Sequence, residues 1–288
     1  MCTTCGCSDD ANVTLKNMQA DEEHGHSHDH EHSHEHSHEH GHSHEHDHSH
    51  EHGHSHSHSH ASTVIETKSS KTIQLEKDIL AKNDLLAERN RGFFSGRKII
   101  ALNLVSSPGS GKTSLLERTI ADLSQDQTAK FSIAVIEGDQ ETDNDAQRIK
   151  ATGCKVMQIN TGAGCHLEAE IVSRALEELD PEFKSLIFIE NVGNLVCPAL
   201  FDLGEEAKVV ILSTTEGEDK PLKYPHMFRA AKILLINKID LLPYLKFDLQ
   251  KCIDNALSVN PALKVFQLSA QEGTGMDAWY DWIKASVK

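Results

Sequence analysis

The chain contains no apolar run of about 18 residues, the length a membrane-crossing helix needs, and no basic-plus-apolar start of the kind a secretory signal has. Both absences argue against a membrane span and a signal peptide, and the expected location is the cytoplasm. Basic residues are the minority: 28 Lys and Arg stand against 44 Asp and Glu, a formal net charge of −16. That balance leaves no electrostatic footprint for nucleic acid. The first 70 or so residues also lack a hydrophobic pattern, so core-forming sequence is confined to 71–288, enough for a single α/β domain. Residues 1–60 hold twelve acids against Lys16 alone, so the folded part is only mildly acidic.

What the amino-terminal part does contain is metal-ligand chemistry. Every second residue from His24 to His60 is histidine, nineteen in unbroken alternation with Ser, Glu, Asp and Gly. Neutral imidazole is a good ligand for nickel, zinc and copper, and with nothing apolar to bury the segment reads as disordered until metal arrives. A purification tag is the bland alternative, but tags are contiguous and terminal, whereas this run is internal and interleaved with acids. Seven cysteines are an odd number, and Cys2, Cys5 and Cys7 lie too close together for a disulfide framework. In a reducing compartment they are thiols. With the α-amine or backbone amides they suit a square-planar Ni(II) site; the rival is a zinc or redox CxxC, although no second pair lies at zinc-ribbon spacing.

The chain accordingly divides into a cysteine motif (1–23), a histidine-rich segment (24–60), a linker (61–70) and a folded domain (71–288). At the start of that domain Ile73, Ile79, Leu80 and Leu86 recur at roughly helical spacing, which predicts an amphipathic helix over 73–90. Apolar, β-rich runs then follow at 99–105, 131–137, 155–160, 185–190, 208–214, 232–238 and 264–269, mostly separated by helical stretches. Near-continuous apolar strands alternating with helices predict an α/β fold, a mostly parallel sheet covered by helices on both faces. Ligands in such sheets bind at the carboxyl ends of the strands.

The first run leads into Ser106-Ser107-Pro108-Gly109-Ser110-Gly111-Lys112-Thr113 and the helical SLLERTIADL that begins at Ser114. Strand, glycine loop and helix in this order form a P-loop. Gly109, Ser110 and Gly111 let backbone N–H groups close around phosphate, Lys112 neutralises the β/γ charge, and Thr113 ligates Mg²⁺. Ser106 stands where the usual first glycine would be. Farther on, Asn237-Lys238-Ile239-Asp240 ends a buried run. The Asp240 carboxylate can accept from guanine N1 and N2, and the Lys238 stem can cover the base, which favours GTP over ATP. Ser269-Ala270-Gln271 reads as the loop whose backbone meets guanine O6. Two more strand ends sense the γ-phosphate: Asp139 is expected at Mg²⁺ or its water shell, and Glu190-Asn191-Val192-Gly193 stands where a G-protein has Asp-x-x-Gly. Gly193 is the expected phosphate contact and hinge.

Cys165-His166, in a glycine-rich loop, and Cys197, four residues beyond Gly193, are a second candidate metal site, for nickel or zinc. Adjacent side chains diverge, so one chain does not easily complete a tetrahedral set, and a second protomer could contribute. Cys154 and Cys252 read instead as small core hydrophobes.

Taken together, CTTCGC at 2–7, the histidine run, LAERNR (86–91), LVSSPGSGKTSLL (104–116), VIEGDQET (135–142), NTGAGCHLEAE (160–170), FIENVGNLVCP (188–198), TEGEDKPLKYPHMF (215–228) and NKIDLLPYL (237–245) resemble the HypB family of hydrogenase nickel-incorporation GTPases. The resemblance implies a nucleotide-gated homodimer that helps load nickel into the nickel-iron hydrogenase large subunit precursor. It also implies a nickel-binding partner, HypA, and a prolyl-isomerase-type nickel carrier. Nickel at Cys2, Cys5 and Cys7, nickel or zinc at Cys165, His166 and Cys197, and a storage role for the histidines follow from the same resemblance. Urease-type nickel GTPases are similar in the nucleotide domain but lack the CTTCGC start. A metal-storage protein with a vestigial nucleotide fold is the rival of another class, and the intact Lys112, Thr113 and Asp240 speak against it.

Overall fold

A computed structural model describes residues 13–19, 62–140 and 142–287. The chain divides into two units, one comprising residues 1–21 and 77–288 and the other residues 22–76. Cys2, Cys5, Cys7 and the histidine run lie outside the described residues. The described part of the second unit is the start of a helix, α1 (Ser62–Arg97), so the stretch expected as a linker is helical from Ser62.

Seven strands arise where the apolar runs predict them: β2 (Ile100–Ser106), β3 (Ile133–Asp139), β4 (Lys155–Asn160), β5 (Leu186–Glu190), β6 (Ala207–Ser213), β7 (Ile233–Asn237) and β8 (Lys264–Gln267). One strand was not foreseen. Thr14–Asn17 forms β1 and pairs antiparallel with β4, Thr14 lying opposite Asn160. The sheet order is β1-β4-β3-β5-β2-β6-β7-β8, and every pairing except that of β1 is parallel. Strands β5, β6 and β7 are buried along their whole length because helices cover both faces, which is why they lack polar alternation.

On one face Leu102, Leu104, Phe188, Val209 and Ile211 pack with Leu115, Leu116 and Ile120 of α2 (Lys112–Gln125) and with Trp279 and Ile283 of α8 (Met276–Ser286). The opposite face is filled in two patches. Ile136, Met157, Ile187 and Ile189 meet Val172 and Leu176 of α4 (Ala169–Leu179) and Phe94 of α1. Val210, Leu212, Leu234 and Ile236 meet Met227 and Phe228 of α6 (Pro225–Ala230) and Cys252 of α7 (Leu249–Val259), and two short helices, α3 (Asn144–Lys150) and α5 (Lys220–Lys223), lie in the loops after β3 and β6. Cys154 and Cys252 are buried, and burial pushes both thiols up to about 12.

Helix α1 also clamps the segment leading out of the site loops. Asn83 and Asn90 bond Ala169 and the carbonyls of Asp202 and Leu203. The backbone passes so close there that a Cβ on Gly204 would lie 2.5 Å from the Ala87 carbonyl. Among the described residues no helix is long and apolar enough to cross a membrane.

Candidate functional site

Central strand β2 has β5 on one side and β6 on the other, and the chain fills one half of the sheet before the other. This reversal is a topological switch point, where α/β sheets bind ligands. The loop leaving β2 turns through Gly109 (φ 75°) and Gly111 (φ 91°), left-handed conformations that cost glycine nothing, and Gly111 caps α2. Its neighbours hold it closed. Asn237 Nδ2 donates to the Ser110 carbonyl at 3.0 Å and Lys238 Nζ to the Gly109 carbonyl at 2.7 Å. A Cβ on Gly111 would meet Asn237 Nδ2 at 2.6 Å, so the NKID strand end and the phosphate loop fit only with glycine there.

At the start of α2, Thr113 Oγ1 donates to Glu190 Oε1 at 2.8 Å, and Lys112 Nζ lies 3.3 Å from the same oxygen. Glu190 is 1 % exposed, and its Oε2 has no hydrogen-bond partner. Glu137, which the sequence did not single out, lies opposite Glu190 in the β3–β5 register and also has a partnerless Oε2. Burial, then the charges of Glu190 and Asp139, push its carboxyl up to about 9. Two buried carboxyl groups and a hydroxyl beside the phosphate loop are hard oxygen donors of the kind that suit Mg²⁺, whose charge would displace the Glu137 proton. Asp139, expected at that ion or its water shell, accepts through Oδ2 from the Thr142 hydroxyl at 2.6 Å and the Thr142 N–H at 3.2 Å. Glu190 is the carboxylate that reaches Thr113.

On the base side, Asp240 Oδ1 is buried without a hydrogen-bond partner, an acceptor suited to a purine N–H. The Ala270 N–H donates to Asn237 Oδ1 at 3.1 Å, which holds the loop to the NKID strand end, and Ser269 Oγ accepts from Glu272 N at 3.0 Å, which closes the loop on itself. Ser114 accepts from Arg148 Nη2 at 3.1 Å. Another residue missed from the sequence is Lys220, within the TEGEDKP stretch. Its Nζ reaches Ser107 Oγ at 3.1 Å and Glu216 at 3.1 Å, placing a cation at the phosphate loop.

Farther along the same edge, one ligand atom each from Cys165, His166 and Cys197 lies within 4.8 Å of the others. Adjacency of Cys165 and His166 is thus no obstacle, because the irregular turn between β4 and α4 folds both side chains to one side, Cys165 Sγ standing 3.6 Å from His166 Nδ1. Tetrahedral bonds of about 2.0–2.3 Å need donor separations of roughly 3.5–3.8 Å, so a small contraction closes the set on an ion. His166 is buried, packs on Phe201 at a centroid distance of 4.0 Å, and its Nε2 has no hydrogen-bond partner; Glu168 at 3.6 Å is beyond bonding range. Burial lowers its pKa to about 4, so the imidazole is neutral at pH 7, as ligation requires.

Comparison with known proteins shows the family and the fold. The family model described as CobW/HypB/UreG, nucleotide-binding domain, matches residues 100–267. The hydrogenase maturation factor HypB of Rhizobium leguminosarum bv. viciae is 60 % identical over 217 residues, 75 % of this chain and 71 % of its own. The chain belongs to the HypB family of hydrogenase maturation factors. HypB of Escherichia coli K12 is 56 % identical over 74 % of this chain and 72 % of its own. Among solved structures, HypB from Archaeoglobus fulgidus aligns with a TM-score of 0.66 and 36 % identity, covering 72 % of this chain and all of that one. HypB from Helicobacter pylori, solved in complex with nickel, gives 0.64 and 35 %, covering 70 % of this chain and 93 % of that one. The HypB relatives and the parallel sheet bear out the P-loop fold expected from the sequence.

Proposed function

We propose that the chain is a GTP-hydrolysing nickel metallochaperone whose Cys165, His166 and Cys197 carry nickel under control of the bound nucleotide. The observation that carries this reading is one segment, 190–197, shared by both chemistries. Glu190 at its start bonds Thr113, Gly193 rests on Pro108 of the phosphate loop, where a Cβ would be 3.1 Å from Pro108 Cγ, and Cys197 at its end is a metal donor. A shift of the phosphate loop therefore reaches a sulfur ligand directly.

Lys112, with the N–H groups of Gly109, Ser110 and Gly111, grips the phosphates, and Gly193 faces the γ-phosphate. Thr113 donates its hydroxyl hydrogen bond to Glu190, which leaves the Thr113 lone pairs for a cation. Thr113 and Glu190, with Glu137 and Asp139 near them, would hold Mg²⁺, which supplies charge neutralisation in phosphoryl transfer. With no arginine finger in these motifs, intrinsic hydrolysis is slow. Asp240 supplies guanine selectivity, Lys238 covers the base, and Asn237, Ser269 and Ala270 shape the pocket.

Three protein donors leave a fourth position on the metal, and exposed Val196 and Leu200 flank Cys197, which supports closure by a second copy of the chain. Zinc is the alternative occupant. Nickel on Cys2, Cys5 and Cys7, storage on the histidine run, delivery to the hydrogenase large subunit precursor with HypA and a prolyl-isomerase-type carrier, and a cytoplasmic location complete the proposal; family membership supports them.

The test compares GTP and ATP hydrolysis in the parent, Lys112→Ala and Asp240→Ala. Lys112→Ala should abolish turnover, and Asp240→Ala should cost roughly 10- to 100-fold in GTP affinity, the scale of hydrogen bonds to a charged group, while sparing ATP. Equal use of both nucleotides by the parent would refute the GTPase reading.

A further inference from the structure

The peptide groups on both sides of His166 are held by two asparagine side chains of the segment that follows β5. Asn191 Oδ1 accepts from the Leu167 N–H at 3.1 Å, and Asn194 Nδ2 donates to the Cys165 carbonyl at 3.3 Å. Asn191 directly follows Glu190, the partner of Thr113 and Lys112, and Asn194 directly follows Gly193, which rests on Pro108. Each residue that touches the phosphate loop is therefore succeeded by one that touches the metal loop.

The orientation of Asn191 is fixed by chemistry. Asn103 gives its amide NH₂ to Glu205 Oε1 (3.1 Å) and its Oδ1 to Asn191 Nδ2 (3.3 Å), and backbone N–H groups, which can only donate, settle the rest. Asn191 Oδ1 is then left facing the N–H groups of Leu167 and Val192. Asn191 and Asn103 are 1 % and 0 % exposed, so breaking this chain would strand buried polar groups. Such a connection moves as a unit or not at all.

We propose that Asn191 and Asn194 are the positioning residues that carry nucleotide state to Cys165 and His166, while Cys197 is moved by its own segment. This inference rests on the nucleotide-gated metal reading above, and adds that the two halves of the metal site are driven by separable connections. Asn194→Asp isolates one of them. It keeps the acceptor for Val196 N, which Asn194 Oδ1 now bonds at 2.8 Å, and replaces the donor to the Cys165 carbonyl with a charged oxygen that repels it.

The experiment measures iodoacetamide alkylation of Cys165 and Cys197, resolved by peptide mass spectrometry, on the full-length metal-stripped chain. Mg²⁺ is present with saturating GDP or a non-hydrolysable GTP analogue. In the parent, the rates at both cysteines differ about fivefold or more between nucleotides, the lower end of typical allosteric couplings. In Asn194→Asp and in Asn191→Ala the ratio at Cys165 falls toward one while that at Cys197 persists, a pattern that general loosening of the fold does not produce. A parent-like ratio at Cys165 in both variants, or equal loss at both cysteines, overturns the inference. A parent ratio of one at both cysteines overturns the nucleotide-gated reading and the inference with it.

Discussion

Thr113 and Glu190 share a buried hydrogen bond of 2.8 Å across 77 residues of sequence, and the Lys112 ammonium lies 3.3 Å from the same carboxylate oxygen. A strand end of β5 is thereby tied to the start of α2 in the place where phosphate charge must be met. Glutamate here, where many G-proteins have aspartate, reaches one methylene farther into the loop.

Replacing Glu190 with Gln keeps the shape and removes the charge. Mg²⁺-dependent GTP hydrolysis should fall by about 10²-fold, the usual effect of losing one preorganised electrostatic contact, and more Mg²⁺ should be needed for half-maximal rate. Steady-state phosphate release against Mg²⁺ concentration measures both. An unchanged rate and midpoint would remove Glu190 from the site.

Glu137 gives the fold a pH signature. Its folded pKa, pushed up to about 9, exceeds the ordinary 4.5, so between those values the folded state holds a proton that the unfolded state has released. Stability from this group is fully present below about pH 4.5 and is lost progressively as pH rises toward 9. In EDTA, so that no cation masks the effect, Glu137→Gln should melt higher than the parent at pH 8 and converge with it near pH 4.5. Parallel melting curves across that range would contradict the protonated assignment.

Met18, fully buried just beyond β1, anchors the unforeseen edge strand in the core. Met18→Ala should destabilise the domain by about 2–5 kcal/mol in denaturant unfolding, the range for truncating a buried methionine. A loss under about 0.5 kcal/mol, the size of an ordinary surface substitution, would mean that the 13–19 segment does not pack there.

Legibility in the sequence tracked how much of the signal was local. Strands β2 to β7 are readable because burial on both faces leaves long apolar runs, and the P-loop and NKID motifs because their chemistry resides in consecutive residues; β8, a half-exposed edge strand, is readable from the short apolar alternation of KVFQLS. β1 is not, since Thr14-Leu15-Lys16-Asn17 is four residues at a sheet edge, with only Leu15 and the flanking Val13 and Met18 turned inward. The start of α1 reads as a linker because ASTVIETKSS is rich in residues that also favour loops, whereas the structure is helical from Ser62. Glu137 and Lys220 acquire their places only when β3 pairs with β5 and the 216–220 turn folds onto Ser107. The asparagine pair around His166 likewise appears only once two loops from separate strands meet.

Nucleotide control of the Cys165, His166 and Cys197 site is most directly tested by nickel affinity. The protein would carry Ala at Cys2, Cys5 and Cys7 and lack residues 24–60, so that only this site reports, and nickel would be titrated against a competing chelator with GDP and then with a non-hydrolysable GTP analogue. The two dissociation constants should differ by about 5- to 150-fold, the range of ordinary allosteric couplings, and Cys197→Ala should weaken binding in both states. Equal dissociation constants within error would contradict nucleotide gating, and unchanged affinity in Cys197→Ala would remove that sulfur from the site.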